Sequence, residues 1–438
     1  MGSAWILENV FTDLSGIHLK LYHAESNSSL TRKSWFQDVL AKDEERFKAL
    51  SSRLAQNEAE ITTTASSSSH SKRLIDLKSV SIPLNSGLSI GSGNYFVKIG
   101  LGSPASYYPV IMDTGSSFSW LQCQPCEVYC HNQAGPIFDP SASQTYKALP
   151  CSASECSSLK RSTLNNPLCN TLNTCIYTAS YGDASFSIGY LSQDKLTLTP
   201  SQVFPRFVYG CGQDNQGLFG RSAGIIGLAR DKLSLLGQVS YKYGYAFSYC
   251  LPSALGGQGG VLSIGTPSLG MSSSFKFTPL VVDSKNPSLY FIRLATITVA
   301  GKPLGVSAVS YKVPTLIDSG TVITRLPASL YAALRGAFVK AISGKYPKAP
   351  AFSILDTCFK GKLASTSAVP LVQLVFAGGA ELSLRAKNIV LQVDSGTFCL
   401  AFAASREIAI IGNHQQQTFK VAYDVSKSRI GFAPGGCS

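Results

Sequence analysis

Apolar positions follow two regimes along the chain. From Ser34 to Gln56 they recur at helical intervals, with Phe36, Val39, Leu40, Phe47, Leu50 and Leu54 on one face. Ser34 and Gln37 have capping-box spacing, and Glu44 and Lys48 stand four apart with opposite charge. This predicts an amphipathic helix over 34–56. Ile61 to Lys72 follows as a Ser/Thr-rich run with little to bury, which reads as a linker and a place for proteolytic processing. From about Val80 the period changes. Tyr95, Val97, Ile99 and Leu101 alternate with Phe96 and Lys98, predicting a strand over 94–101 with one wetter face, and Gly102-Ser103-Pro104 turns the chain. Ile176 to Tyr181, the turn region Gly182-Asp183-Ala184-Ser185 and Gly189-Tyr190-Leu191 predict a β-hairpin within 177–198. Leu326 to Ile342 is the clearest later helix, with Pro327 near its start.

Two apolar runs end in the same way. Val110-Ile111-Met112 leads into Asp113-Thr114-Gly115-Ser116, and Thr315-Leu316-Ile317 leads into Asp318-Ser319-Gly320-Thr321. Each reads as a buried strand that delivers a carboxylate to an interior turn. The two Asp residues lie 205 positions apart (318 minus 113), as a doubled fold would place them. A second echo follows each motif: Ala223-Gly224-Ile225-Ile226-Gly227-Leu228 and Ile408-Ala409-Ile410-Ile411-Gly412-Asn413. By themselves these are two buried strands.

Composition narrows the fold class. A chain of 438 residues can bury two cores, and 38 Gly, 21 Pro and few periodic helical stretches point to a mostly β protein. No apolar run reaches the roughly 18 residues of a membrane-spanning helix. The net charge of +13 lies entirely beyond residue 85, because residues 1–85 carry 10 basic and 10 acidic side chains. The basic residues are scattered, so weak nonspecific polyanion binding is expected and no specific nucleic-acid partner. The even number of cysteines, 12, fits complete pairing in an oxidising compartment. Cys123-x2-Cys126 with Cys130-His131 also has zinc-like spacing, which the even cysteine count makes the weaker reading.

The paired Asp motifs, from about Gly93 to Cys437, resemble those of the pepsin-like aspartic proteases, in their plant nepenthesin-like branch. The resemblance implies an all-β-dominant, bilobal fold with a helical N-terminal prosegment. It divides the chain into 1–78 (prosegment and linker), 79–285 (first lobe, with a cysteine-rich insertion and a flap) and 286–438 (second lobe), with the join near 281–289. Asp113 and Asp318 would be the catalytic pair. Thr114 and Ser319 would bond across the lobes, Ser116 and Thr321 would bond the outer carboxylate oxygens, and Gly115 and Gly320 would allow the turns and offer N–H groups. The flap would carry Tyr181, Gly182 and Asp183, with Tyr181 bonded to Trp120, seven residues after the first Asp. By the same resemblance the disulfides are expected as Cys123–Cys126, Cys130–Cys211, Cys151–Cys175, Cys156–Cys169, Cys250–Cys437 and Cys358–Cys399.

Two carboxyls a hydrogen bond apart share one proton and titrate as a pair. The ionised member would activate water against a peptide carbonyl, and the protonated member would donate to the carbonyl oxygen. No cofactor or metal is required, and the expected partners are protein or peptide substrates of a monomeric zymogen. Alternatives of the same fold are a non-catalytic inhibitor or binding protein, whose relatives lose Asp motifs, and a basic DNA-associated protease. A Ser–His mechanism is disfavoured, since His18, His23 and His70 precede the Asp motifs, His131 sits among cysteines and His414 lacks a nucleophile elbow. Met1 to Val10 has no secretory pattern, and Ile6 breaks a myristoylation motif at Gly2. A truncated or alternative start is therefore expected, with the mature protein in the apoplast or vacuole and the chloroplast as second choice. Asn27-Ser28-Ser29 is the one usable glycosylation sequon.

Overall fold

The computed structural model describes residues 32–56, 78–181, 185–217, 219–253, 259–266, 269, 274–362 and 368–437. The 61–72 linker, the Asn27 sequon, Gly182 and Asp183 lie outside the described residues.

The helix α1 (Arg32–Gln56) starts two residues before Ser34, so Ser34 is a helical residue and not the cap. Lys48 pairs with Glu45 rather than with Glu44, which is turned to Arg325. The strands β1 (Val80–Ser86), β2 (Tyr95–Leu101) and β3 (Ser106–Asp113) form a meander. Only Lys98 is exposed in β2, so Phe96 is buried as well. The short β4 (Trp120–Gln122) follows the first Asp loop, and α2 (Ser154–Thr163) lies in the cysteine-rich region. The long hairpin β5 (Cys175–Ser180) to β6 (Phe186–Thr199) continues into β7 (Gln202–Gln216). Next come β8 (Gly224–Gly227) and β9 (Ala246–Cys250).

The second half repeats the plan. The strand β10 (Thr315–Ile317) leads into the second Asp loop, and β11 (Thr324–Pro327) leaves it. Helix α3 (Ala328–Ile342) begins after Pro327, two residues later than the pattern predicts, because Leu326 and Pro327 are held in β11 against Ala404 and Ser405. The strand β12 (Ala409–Ile411), the short helix α4 (Asn413–Gln416) and β13 (Phe419–Asp424) complete the parts that shape the site.

The two halves are joined through a large sheet, in which β13 pairs with β9. Aromatic packing supports this join: the rings of Phe247 and Tyr423 stack 4.3 Å apart, and Tyr290 meets Tyr423 edge-on at 4.6 Å. The structure is thus mostly β and two-lobed, as expected.

All 12 cysteines form disulfides, but four bonds differ from expectation. They are Cys123–Cys211, Cys126–Cys130, Cys151–Cys169 and Cys156–Cys175, in place of Cys123–Cys126, Cys130–Cys211, Cys151–Cys175 and Cys156–Cys169. Sheet register decides the first pair, since β4 runs parallel to β7 with Leu121 opposite Cys211, and the Cys123 N–H donates to the Gly212 carbonyl. Cys123 and Cys211 are both buried, leaving the more peripheral Cys126 and Cys130 to each other. Burial also sorts the second group. Cys156 lies on the inner face of α2 and meets buried Cys175, while exposed Cys169 takes half-buried Cys151. Cys250–Cys437 and Cys358–Cys399 form as expected.

Candidate active site

The same local topology is built twice. In the first half β8 lies between β3, to which it is parallel, and β4, to which it is antiparallel; in the second half β12 lies likewise between β10 and β11. Each Asp therefore sits at the end of a strand buried on both faces, and both carboxyls are buried. The Leu228 N–H donates to the Asp113 carbonyl, and the Asp318 N–H donates to the Ile411 carbonyl, so the echo strands fix both loops.

The two loops also grip each other. The Ser319 N–H donates to Thr114 Oγ1 at 2.9 Å, and the Thr114 N–H donates to Ser319 Oγ at 3.1 Å. Ser116 Oγ donates to Asp113 Oδ2 at 2.5 Å, and Thr321 Oγ1 donates to Asp318 Oδ2 at 2.7 Å. The Gly115 and Gly320 N–H groups reach the inner Oδ1 atoms of their own Asp at 2.9 and 3.1 Å. A side chain at 320 would put its Cβ 2.5 Å from Asp113 Oδ1, which explains the glycine by close approach. All eight residues of the two motifs are thus brought together.

Helix α1 occupies this site. Arg46 Nη2 lies 2.8 Å from Asp113 Oδ1 and 3.0 Å from Asp318 Oδ2, and its Nε lies 3.3 Å from Asp318 Oδ2. Around it, Phe36 and Leu40 join an apolar cluster with Ile323, Phe352 and Leu355, and Leu50 joins another with Leu289, Phe291 and Leu316. Asp43 accepts from the Val322 and Ile323 N–H groups at 2.5 and 3.1 Å and from Arg325 Nη2 at 2.8 Å. Glu44 takes Arg325 Nη1 at 2.7 Å.

Burial and charge pull the carboxyls in opposite directions. Burial raises Asp113, with Arg46 opposing and Asp318 adding to the rise. Burial acts on Asp318 too, but Arg46, the Thr321 hydroxyl and the Gly320 N–H outweigh it and hold that carboxyl below its ordinary value. Arg46 loses hydration on burial, yet the two carboxylates more than restore its charged form. Burial raises Asp43 in spite of Arg325.

On the opposite wall, Trp120 Nε1 donates to the Tyr181 hydroxyl at 2.7 Å. Tyr181 directly follows β5, its N–H bonded to the Ser185 carbonyl at 2.8 Å, and its ring lies 5.7 Å from Phe219. Burial raises the Tyr181 hydroxyl, so it stays protonated at neutral and acid pH.

Comparison with known proteins gives the family. The family models described as xylanase inhibitor N-terminal and C-terminal match residues 95–266 and 289–434. The chain is 42% identical to an aspartyl protease family protein of Arabidopsis thaliana over 98% of this chain and 88% of that one. It is 33% identical to aspartic proteinase nepenthesin-2 of Nepenthes gracilis, over 96% of this chain and 90% of that one. The chain belongs to the pepsin-like aspartic protease family. Within that fold, the crystal structure of basic 7S globulin from soybean is similar at a TM-score of 0.65 and 21% identity, covering 82% of this chain and 96% of that one.

In this aspartic protease family member, three residues that matter were not singled out from sequence: Asp43, Arg46 and Arg325. The signal was present. Val39, Asp43, Arg46, Leu50 and Arg53 recur at spacings of four and three, which puts charged groups on the face that docks. His414, in contrast, is buried and bonded into no dyad; burial lowers its imidazole to about 4.

Proposed function

We propose that the protein is an aspartic endopeptidase made as an inactive precursor, in which Asp113 and Asp318 are the catalytic pair and α1 is the inhibitory segment. The observation that carries this reading is the pair of cross-bonded Asp loops with Arg46 seated between their carboxyls. A bound cation on both carboxylates leaves neither free to take a proton from water, and the helix fills the space a peptide would need.

With α1 gone, two adjacent carboxyls in a buried site hold one proton between them. The ionised carboxylate takes a proton from a water molecule as its oxygen attacks the scissile carbonyl carbon. The protonated carboxyl gives its proton to the carbonyl oxygen, forming a gem-diol. Collapse breaks the C–N bond, and the nitrogen takes a proton from the dyad as the amine leaves. Ser116 and Thr321 hold the outer oxygens, and the hairpin bearing Tyr181 covers the substrate.

The substrates on this reading are proteins and peptides, and the lobes divide near 281–289. Six disulfides fit an oxidising compartment such as the apoplast or vacuole. The second reading, a non-catalytic binding protein, is favoured by the inhibitor description of the matching family models. Both Asp residues and every hydroxyl around them are intact, which supports catalysis. Hydrolysis in ¹⁸O-water tests the mechanism: one heavy oxygen in the new carboxyl terminus, with cleavage blocked by pepstatin, is expected. Cleavage through a trappable acyl-enzyme would refute it, and binding of a protein partner without any cleavage would favour the second reading.

A further inference from the structure

Trp120 and Arg325 occupy matching places in the two halves. Each stands seven residues after its Asp, and each is paired antiparallel to the middle strand: Trp120 opposite Ile225, Arg325 opposite Ile410. Those partners are in turn registered with Ile111 and Leu316, each two residues before its Asp. Trp120 uses its place to brace the hairpin through Tyr181. Arg325 does something else. Its guanidinium pairs with Asp43 and Glu44 and lies 5.1 Å from the Phe47 ring centroid, and all three residues are on α1. Among the described residues these two are its carboxylate partners.

The Asp43 carboxylate is held by three donors of the cleft: the guanidinium and the backbone N–H groups of Val322 and Ile323. This is a formed carboxylate-binding site, currently filled by the chain itself. When α1 leaves, Arg325 loses both counter-ions, and the two N–H groups lose their acceptor.

We propose that Arg325, with the Val322 and Ile323 N–H groups, is a specificity site that takes a side-chain carboxylate of the bound peptide, so that substrates with Asp or Glu at that position are preferred. The proposal rests on the proteolytic reading above. On it, α1 inhibits in two ways: Arg46 covers the dyad, and Asp43 fills the acidic-residue site as a substrate would. A charge-assisted, multiply bonded carboxylate supports a discrimination of about tenfold to a hundredfold.

The test uses the full chain after acid incubation, and peptides that differ only in Glu, Gln or Lys, placed in turn at each position flanking the scissile bond. At about pH 5, where Glu is ionised, one position on one side is expected to show kcat/KM at least about tenfold higher for Glu than for Gln, with Lys lowest. The ratio should shrink towards one near pH 3, as the substrate Glu protonates, and should be lost in Arg325→Gln. A merely structural Arg325 would not move the Glu-to-Gln ratio with pH. Equal rates at every position, with cleavage retained, would overturn the site and leave the protease reading standing. Fluorescence polarisation with uncleavable reduced-bond versions of the same peptides reads the site without turnover. Tighter binding of the Glu peptide supports it even if nothing is cut, and equal binding overturns it.

Discussion

The Thr114 side chain accepts the backbone N–H of Ser319, and the Ser319 side chain accepts that of Thr114, at 2.9 and 3.1 Å. Two loops from the two halves are thereby fixed by a reciprocal bond, with Ser319 Oγ also donating to the Met112 carbonyl at 3.1 Å. Thr114→Val keeps the shape and removes the acceptor, leaving a buried N–H unpaired at a cost of about 1–3 kcal/mol. Thermal unfolding should come a few degrees lower, and kcat should fall as the carboxyls lose alignment. Thr114→Ser should restore both; an unchanged midpoint would show that the grip carries no weight.

On the precursor reading, Arg46 would make activation acid-dependent, and the sign follows from the shifts of the groups it meets. It lowers the proton affinity of both carboxyls relative to the same pair without it. Asp318, held below its ordinary value while α1 is docked, takes up a proton when the helix leaves, so its share of the lock is full above the ordinary carboxylate range and is lost as pH falls through its docked value, whereas Asp113, raised by burial, opposes this. Other charged groups where α1 meets the rest of the chain include Asp43, Glu44, Arg325 and Arg53, Lys42 beside Arg46, and the Lys33–Asp394 pair. Asp43 works the opposite way, because burial raises it and its protonation favours the docked state. Arg46→Gln removes one partner of a buried pair, worth about 3–5 kcal/mol. The pH midpoint of self-processing, followed by mass spectrometry, should rise by at least about one unit. An unchanged midpoint would place the lock elsewhere.

Tyr181→Phe removes the acceptor of the Trp120 indole N–H. An indole N–H left unpaired at a cost of about 1–3 kcal/mol predicts thermal unfolding a few degrees lower, and kcat/KM lower by about fivefold to a hundredfold if the brace also holds the closed hairpin. Equal kinetics would mean that the hairpin closes without this brace.

The disulfide pairing is checkable by peptide mapping without reduction. Cross-linked peptides carrying Cys123–Cys211 and Cys156–Cys175 are expected. Replacing Cys250 and Cys437 by Ala opens a loop of 187 residues and should cost about 2–5 kcal/mol of stability.

Legibility in the sequence followed the range of each interaction. The Asp motifs and the strand echoes are local patterns whose meaning a doubled fold completes, and they could be read directly; the Trp120–Tyr181 pair, 61 residues apart, was legible only through the family resemblance. Cys123 chose Cys211 because β4 and β7 run side by side, a register that no spacing within 123–130 encodes. Arg46 and Asp43 could be placed on the helix but not assigned partners, since the partners lie 67 to 282 residues away. Arg325 belongs to no local pattern that the sequence displays, and only its pairing with α1 gives it a role.

The central claim is that Asp113 and Asp318 form a water-activating pair uncovered in acid. It is tested most directly by cleavage of a denatured protein by the acid-incubated full chain, scanned from about pH 2.5 to 7 across the carboxylate range. The account predicts acid-dependent cleavage that pepstatin blocks and that disappears in both Asp113→Asn and Asp318→Asn. Cleavage that survives either substitution, or its absence from a chain freed of α1 with its disulfides formed, would contradict it.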